Sequence, residues 1–558
     1  MNDMKKSSFR KWCSLLLVLC LMGGAARAEE MPEMRALPDD ENADGQYFLQ
    51  TWNESARASG EGDVFQNEDI VFESLYYDEL CNLLESEGRY LIFFGGRSSP
   101  RARAAASVIN DLAHEYGVEK IYHFDFRMDG VDDDTDISRS FTGRDDPVGA
   151  KYNYLYGELV SRYLTNLNRW TIREMHWYDA VYQAMTSPAI EEPFLMLYDK
   201  DNMVLNMFDR NGRIVPKEHS SQADALSRFP VVCAVHPSEK QDCADIIRPL
   251  FDYIRENDLQ ISAYTDADYL YDAYHMGNAR PSAPFYANAF RKDEPINIRV
   301  VTYDMLTWLL STRESLLLIY GGAWCPNCVA EITPLNDCAV ANGVTVYMFD
   351  SRLDGKKPTD CWGYNADRQC KISETKNPQP GAVISEGEER LSAEDSLRGF
   401  TELLGIDPDT ALWGPMYVNL VEKYLPNLGE YGGGTVSCTD AEGVTHTVNK
   451  MQHPRLLAVQ RDRVDERGNP APVAAEYERM FSVSPRSLTL REGAQFSSFL
   501  YFESNYRDCI SGITVVISSY TSFFGRQAVT FAGQPLQPLM KDELINPIPE
   551  VPFNCNCD

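Results

Sequence analysis

Basic side chains are scarce in this 558-residue sequence: 52 lysines and arginines face 83 acidic residues, a net charge of −31. A surface of that sign repels phosphate backbones and anionic lipid, which excludes nucleic acid and electrostatic adsorption to membranes. Long apolar runs are missing too. Beyond residue 28 no stretch reaches the roughly 18 apolar residues that a spanning helix needs, so no transmembrane span is expected. A second C-x-x-C and an H-x₃₋₅-H pair are both absent, which argues against zinc, and no metal site is expected. Fourteen cysteines are too few to staple a chain of this length, so an apolar core must carry the stability. At about 150 residues per domain the chain has room for two to four of them.

Residues 1–28 have the pattern of a secretory signal. Lys5, Lys6, Arg10 and Lys11 precede the apolar run 12–22, and Ala26-Arg27-Ala28 is an A-x-A cleavage motif. Cys20 raises a lipoprotein reading, but Leu19 stands where a lipobox takes a small residue. Cleavage would remove five basic residues, one acid and two cysteines, leaving a charge of −35 and twelve cysteines. An even count outside the cytosol permits structural disulfides. The expected destination is periplasmic or extracellular, with a leader of bacterial type.

The chain repeats itself. Residues 75–102 align without a gap on 301–328, and nine of the 28 positions are identical. HFDFRMDG at 123–130 then faces MFDSRLDG at 348–355, and LVSRYLTNL at 159–167 faces LVEKYLPNL at 420–428. Pro193 meets Pro454 at the same later offset. One fold used twice is the simplest reading. In the second copy, periodicity predicts strands at 296–301, 316–320, 344–349 and 456–459. Helices are predicted around 306–310, from Pro326 to about 341, near 415–425 and near 505–520. The first copy predicts strands at 70–72, 90–94, 121–126 and 194–198. Short β-α-β-α-β links imply parallel strands with right-handed crossovers.

Trp324-Cys325-Pro326-Asn327-Cys328 falls between a strand and a helix. A cysteine capping a helix meets unpaired N–H groups and the positive end of the dipole, both of which favour thiolate. Pro326 suits the first turn, where its missing N–H is not needed. Cys328 follows one turn later, close enough to bond Cys325. Such a pair exchanges disulfides: the first thiolate attacks and the second resolves the mixed intermediate. The same motif in an exported protein also fits an inert structural disulfide.

The second copy resembles a thioredoxin-fold domain with a W-C-x-x-C active site, and the repeat extends that resemblance over most of the chain. The resemblance implies Cys325 as nucleophile, Cys328 as resolving thiol and Trp324 as the preceding aromatic. It matches Pro454 to the cis-proline that faces the thiols, with the backbone of His453 pairing with the substrate chain; His453 also reads as a surface residue before proline. Where thioredoxins carry a buried acid six residues before the first cysteine, this chain has Ile319. Glu331, three residues after Cys328, matches a glutamate in the extracytoplasmic relatives that reduce apocytochromes. It reads either as a buried base or as an ordinary exposed helix glutamate. Pro334 lies one residue beyond the usual place of the helix proline.

In the first copy Arg97-Ser98-Ser99-Pro100-Arg101-Ala102 replaces the thiol motif. Ser99 and Ala102 stand at the two cysteine positions, and a serine with no adjacent base does not exchange disulfides. That copy is expected to serve as a scaffold or a substrate platform. Disulfide isomerases of the eukaryotic secretory pathway combine active and inactive thioredoxin-like domains in a similar way. Among the remaining cysteines, Cys361–Cys370 and Cys233–Cys243 span short segments that suit structural bridges. Cys555–Cys557 could form a C-x-C bridge, relay electrons, or pair elsewhere, including with Cys509. Cys81 and Cys338 sit on apolar helix faces that suit buried thiols, and Cys438 has no assigned role.

The expected fold class is α/β: two thioredoxin-like domains in tandem, each a central mixed β-sheet flanked by helices. The expected order is a signal peptide (1–28), an N-terminal segment (29–64) and a domain without C-x-x-C (65–260). A linker (261–291) leads to the CPNC domain (292–525), with an insertion at about 356–405, and then to a Pro-rich tail (526–558). The expected function is thiol–disulfide exchange with cysteines of exported proteins, reset by an unidentified redox partner. It needs no cofactor beyond the redox-active disulfide. A non-catalytic thioredoxin-fold adaptor is the alternative. An acidic calcium-binding protein, suggested by Asp132-Asp133-Asp134-Thr135-Asp136, is the second alternative, although EF-loop spacing is absent.

Overall fold

The computed structural model describes residues 35–131, 136–137, 159, 163, 192–200, 203–204, 240–275, 289–350, 414–430, 434–439, 443–478 and 495–530. The leader, Cys233, the Cys361–Cys370 pair, the acidic run 132–135 and the Cys555–Cys557 tail lie outside them. Within these bounds the chain is mixed α/β, with two five-stranded mixed sheets flanked by helices.

The first sheet contains β1 (Phe72–Ser74), β2 (Arg89–Phe94), β3 (Ile121–Phe124), β4 (Phe194–Asp199) and β5 (Met203–Val204), in the order β1-β3-β2-β4-β5. β1, β2 and β3 run parallel, β4 is antiparallel to β2, and β5 is antiparallel in turn to β4. The second sheet repeats the order with β6 (Ile298–Val300), β7 (Ser315–Tyr320), β8 (Val346–Phe349), β11 (Arg455–Gln460) and β12 (Val473–Glu478): β6-β8-β7-β11-β12. Here too the first three are parallel, β11 is antiparallel to β7, and β12 is antiparallel to β11. A separate hairpin, β9 (Thr435–Thr439) with β10 (Thr445–Asn449), precedes β11. Every residue of β7 is buried, as a central strand covered on both faces requires.

The helices are α1 (Ala43–Ala58), α2 (Tyr77–Glu85), α3 (Pro100–Tyr116), α4 (Lys240–Glu256), α5 (Asp266–Ala273), α6 (Tyr303–Thr312), α7 (Pro326–Asn342), α8 (Gly414–Asn419) and α9 (Gln495–Phe523). α3 packs on α4 in the first unit and α7 on α9 in the second. Proline opens both α3 and α7, and Ser99 Oγ caps α3 by accepting from the Ala102 N–H at 3.3 Å.

Several expectations need adjustment. The first strand lies at Phe72–Ser74 rather than 70–72, and the final helix begins at Gln495 rather than near 505. The helix near 415–425 is α8 followed by one wide π turn, Leu420–Tyr424. The segment 261–291 is not a bare linker. It contains α5, closed by a capping box between Thr265 and Asp268, with Tyr269, Leu270 and Ala273 buried.

The two units share one continuous apolar core. α1, in the N-terminal segment, lies between them. Its Phe48 and Trp52 pack on Phe65, Phe72 and His123 of the first unit. On its other side Tyr47 packs edge-on against Trp308 of α6 at 5.7 Å and donates to Asp304 Oδ2 at 2.7 Å. Arg97, from the loop where the first copy lacks its thiols, grips the same carboxylate with two 2.8 Å hydrogen bonds. That loop is therefore anchored to the second unit, which weighs against a substrate platform there.

His123 is buried beneath this junction. A carbonyl can only accept, so Nε2–H donates to Gly95 O at 2.8 Å, and Nδ1 accepts from the Ser74 hydroxyl at 2.9 Å. Burial disfavours the imidazolium and lowers the His123 pKa to about 4. Between pH 6.5 and 4 the unfolded chain then binds the proton and the native chain does not, so stability falls as pH falls. The difference is about 3 kcal/mol. Urea titrations of wild type and His123→Gln should show this slope only in the wild type; parallel slopes would contradict it.

Candidate active site

The loop Gly321-Gly322-Ala323-Trp324 carries the chain from β7 to α7, and Cys325 occupies the N-cap position of α7. Both glycines are required by close approach. A Cβ on Gly321 would lie 2.6 Å from Cys328 Sγ, and one on Gly322 would lie 1.9 Å from Asp350 Oδ2. Either would collide, since real Cβ contacts are not this short. The first copy repeats the arrangement, with Asp125 beneath Gly96 as Asp350 is beneath Gly322.

Cys325 and Cys328 are hydrogen-bonded to one another. Cys325 is 7% exposed and Cys328 4%. Cys325 is thus nearly covered, not open as its place at a helix tip suggests. The reason lies opposite it. The loop before β11, in which the peptide bond His453–Pro454 is cis, lies against the thiols. Cys325 Sγ donates to the His453 carbonyl oxygen at 3.8 Å, in place of a cap bond to α7 itself.

His453 is not a surface residue. It is 9% exposed, with its ring stacked on Tyr320 at 4.8 Å and edge-on to Trp324 at 5.0 Å. Trp324 is held from the other side, where its indole N–H donates to Asp350 Oδ1 at 2.8 Å. Asn327 is half-buried on the first turn of α7, and Pro326 takes the first helical position.

Glu331 is 1% exposed, which disposes of the exposed-helix alternative. It lines a small cavity with Cys328, Tyr274, Ile319, Ile332 and Pro454. The cavity leaves about 10 Å³ for water centres, close to the lower limit for one molecule. Ile319 thus stands in the same cavity as Glu331, so helix α7 delivers the carboxyl that β7 lacks. Burial pushes the Cys328 thiol well above its ordinary pKa; the hydrogen bond and charge of Cys325 and the Glu331 carboxylate add to the rise. A single N–H bond from Gly322 opposes it.

Asp350 and Tyr274 escaped the sequence reading. Asp350 carried a signal, because it sits in the repeated FD…DG segment. Tyr274 carried none, since it comes from the segment between the two sheets. Cys81, Cys338, Cys243 and Cys509 are all buried. Cys233, the proposed partner of Cys243, lies outside the described residues. No protein-family model matches this chain, and no curated protein matches it.

Proposed function

We propose that the chain is an exported thiol–disulfide oxidoreductase of two thioredoxin-like units, in which Cys325 and Cys328 of the second unit exchange disulfides with other exported proteins. The observation that carries this is the meeting of Cys325, Cys328 and the cis His453–Pro454 peptide at the N-terminus of α7. The shared strand order of the two sheets supports the resemblance to the thioredoxin fold, and the pattern of residues 1–28 supports export.

In the reducing direction, Cys325 thiolate attacks one sulfur of the target disulfide. That S–S bond breaks, a Cys325–target bond forms, and the departing target sulfur takes a proton. Cys328 then gives its proton to Glu331, directly or through one water in their shared cavity. The Cys328 thiolate attacks Cys325 Sγ, closing the intramolecular disulfide and releasing the second target sulfur. Two electrons pass to the target, and the reverse sequence oxidises it. Glu331 suits this role because the resolving thiol beside it holds its proton too tightly to ionise unaided near neutrality.

Turnover of insulin and of scrambled ribonuclease by the chain lacking residues 1–28 tests the proposal. Rates well above those of dithiothreitol or glutathione alone support it. Negligible rates with both substrates would overturn it in favour of an adaptor, a reading to which the near-burial of Cys325 lends some weight.

A further inference from the structure

The cavity around Cys328 has one wall that does not belong to the second unit's own sheet or to α7. Tyr274, at the end of α5, is 1% exposed and lines the cavity beside Cys328, Glu331 and Pro454. Two hydrogen bonds hold it, and a third secures its partner. Its hydroxyl donates to Met348 Sδ at 2.8 Å, beneath β8. Its carbonyl accepts from the Ala289 N–H at 2.7 Å. The Ala289 carbonyl in turn accepts from Thr333 Oγ1 at 3.0 Å, on α7 two residues beyond Glu331.

The other side of α5 rests on the first unit. Tyr269 packs edge-on against Tyr76 at 5.5 Å, and their hydroxyls are hydrogen-bonded. The Tyr269 hydroxyl also reaches Asp78 Oδ2 at 3.0 Å, on the first turn of α2. Asp266 accepts from the Val300 N–H at 2.9 Å, which ties the start of α5 to β6. A capped helix of eight residues thus spans from the N-terminus of α2 to the Cys328 cavity.

We infer that α5 is a strut through which the thiol-less unit holds Tyr274 against Cys328 and keeps water away from the resolving sulfur. Tyr274 is a positioning residue: it takes no part in bond exchange but fixes the surroundings in which Cys328 keeps its proton until Glu331 removes it. The titrating groups facing Cys328 are Cys325 and Glu331 on its own helix and Tyr274 from α5. The first unit would thereby act on the chemistry without carrying any. This role rests on the thiol-exchange proposal above, but its readout does not.

The test uses the full mature chain with Cys325→Ser, cleaved after alkylation by chymotrypsin, whose cut after Leu335 puts Cys328 and Cys338 in separate peptides. Alkylation by iodoacetamide at pH 8 is followed by mass spectrometry, with Cys338, buried on the same helix, as internal reference. Tyr274→Ala should raise the Cys328 rate at least tenfold relative to Cys338. Tyr274→Phe, which keeps the ring, should stay within twofold of the parent. The paired change Tyr76→Phe with Asp78→Ala touches only the far end of the strut and should still raise the rate about threefold. A Cys328 rate within twofold of the parent in either Tyr274→Ala or the paired variant would overturn the inference. So would an equal rise at Cys338, the mark of general loosening. If Tyr274→Ala does not fold, the paired variant decides alone. Failure of insulin turnover by the wild-type chain would strike the proposed function and leave this measurement standing.

Discussion

Cys325→Ser should abolish disulfide exchange, lowering insulin turnover by about 10³-fold or more, because a hydroxyl is a far weaker nucleophile than a thiolate. Cys328→Ser should depress turnover as severely yet leave the first attack intact. The difference follows from the order of the two steps. Cys325 faces the cis peptide at the mouth of the site, while Cys328 is packed behind it beneath Gly321. Without Cys328 the site, among the described residues, lacks the thiol that would break the mixed disulfide. The chain should therefore accumulate as covalent adducts, seen as shifted bands on non-reducing gels and released by dithiothreitol. Equal adduct yields from the two serine variants would exclude Cys325 as the attacking group.

Glu331→Gln should slow resolution by about 10² to 10⁴-fold, the usual worth of a positioned base. Two effects of this change oppose each other. Removing the carboxylate also removes a neighbouring negative charge, which eases ionisation of Cys328. That charge is the weakest of the contributions raising the thiol's pKa, behind burial and the hydrogen bond and charge of Cys325. Loss of the proton acceptor therefore wins. The pH profile gives the sign. With Glu331 absent, hydroxide must deprotonate a thiol whose pKa lies well above its usual range, so the resolution rate should climb about tenfold per pH unit from 6 to 9. With Glu331 present the profile should be flatter. Stopped-flow decay of the mixed disulfide measures both, and identical profiles would remove Glu331 from the mechanism.

How much of this could be read from residue order varies from element to element. Central strands such as β7 announce themselves, because both faces are buried and five apolar residues, Leu316 to Tyr320, run together. β12, at the sheet edge, does not: its V-A-A-E-Y-E is half exposed, and its two glutamates are there to pair with Arg455, wholly buried on β11. α1 was invisible for a different reason. Polar residues interrupt its apolar ones because it is covered on two sides, by the first sheet and by α6, so no single stripe stands out. At the site, the two thiols follow from the local motif, the proline from the repeat and the resemblance, and Glu331 from the resemblance alone. Asp350 and Tyr274 do not, since each reaches the thiols from a distant stretch of chain. The near-burial of Cys325 likewise depends on His453, which sits 128 residues away.

The placing of α1 also bears on the time course of synthesis. Tyr47 and its partner Asp304 are 257 positions apart. At a ribosomal pace of about 5–20 residues per second, Tyr47 waits roughly 10–50 s for that partner to be made. The aromatic edge that later meets Trp308 stays bare throughout, so the nascent N-terminal half is the stage at which a holdase would be most useful.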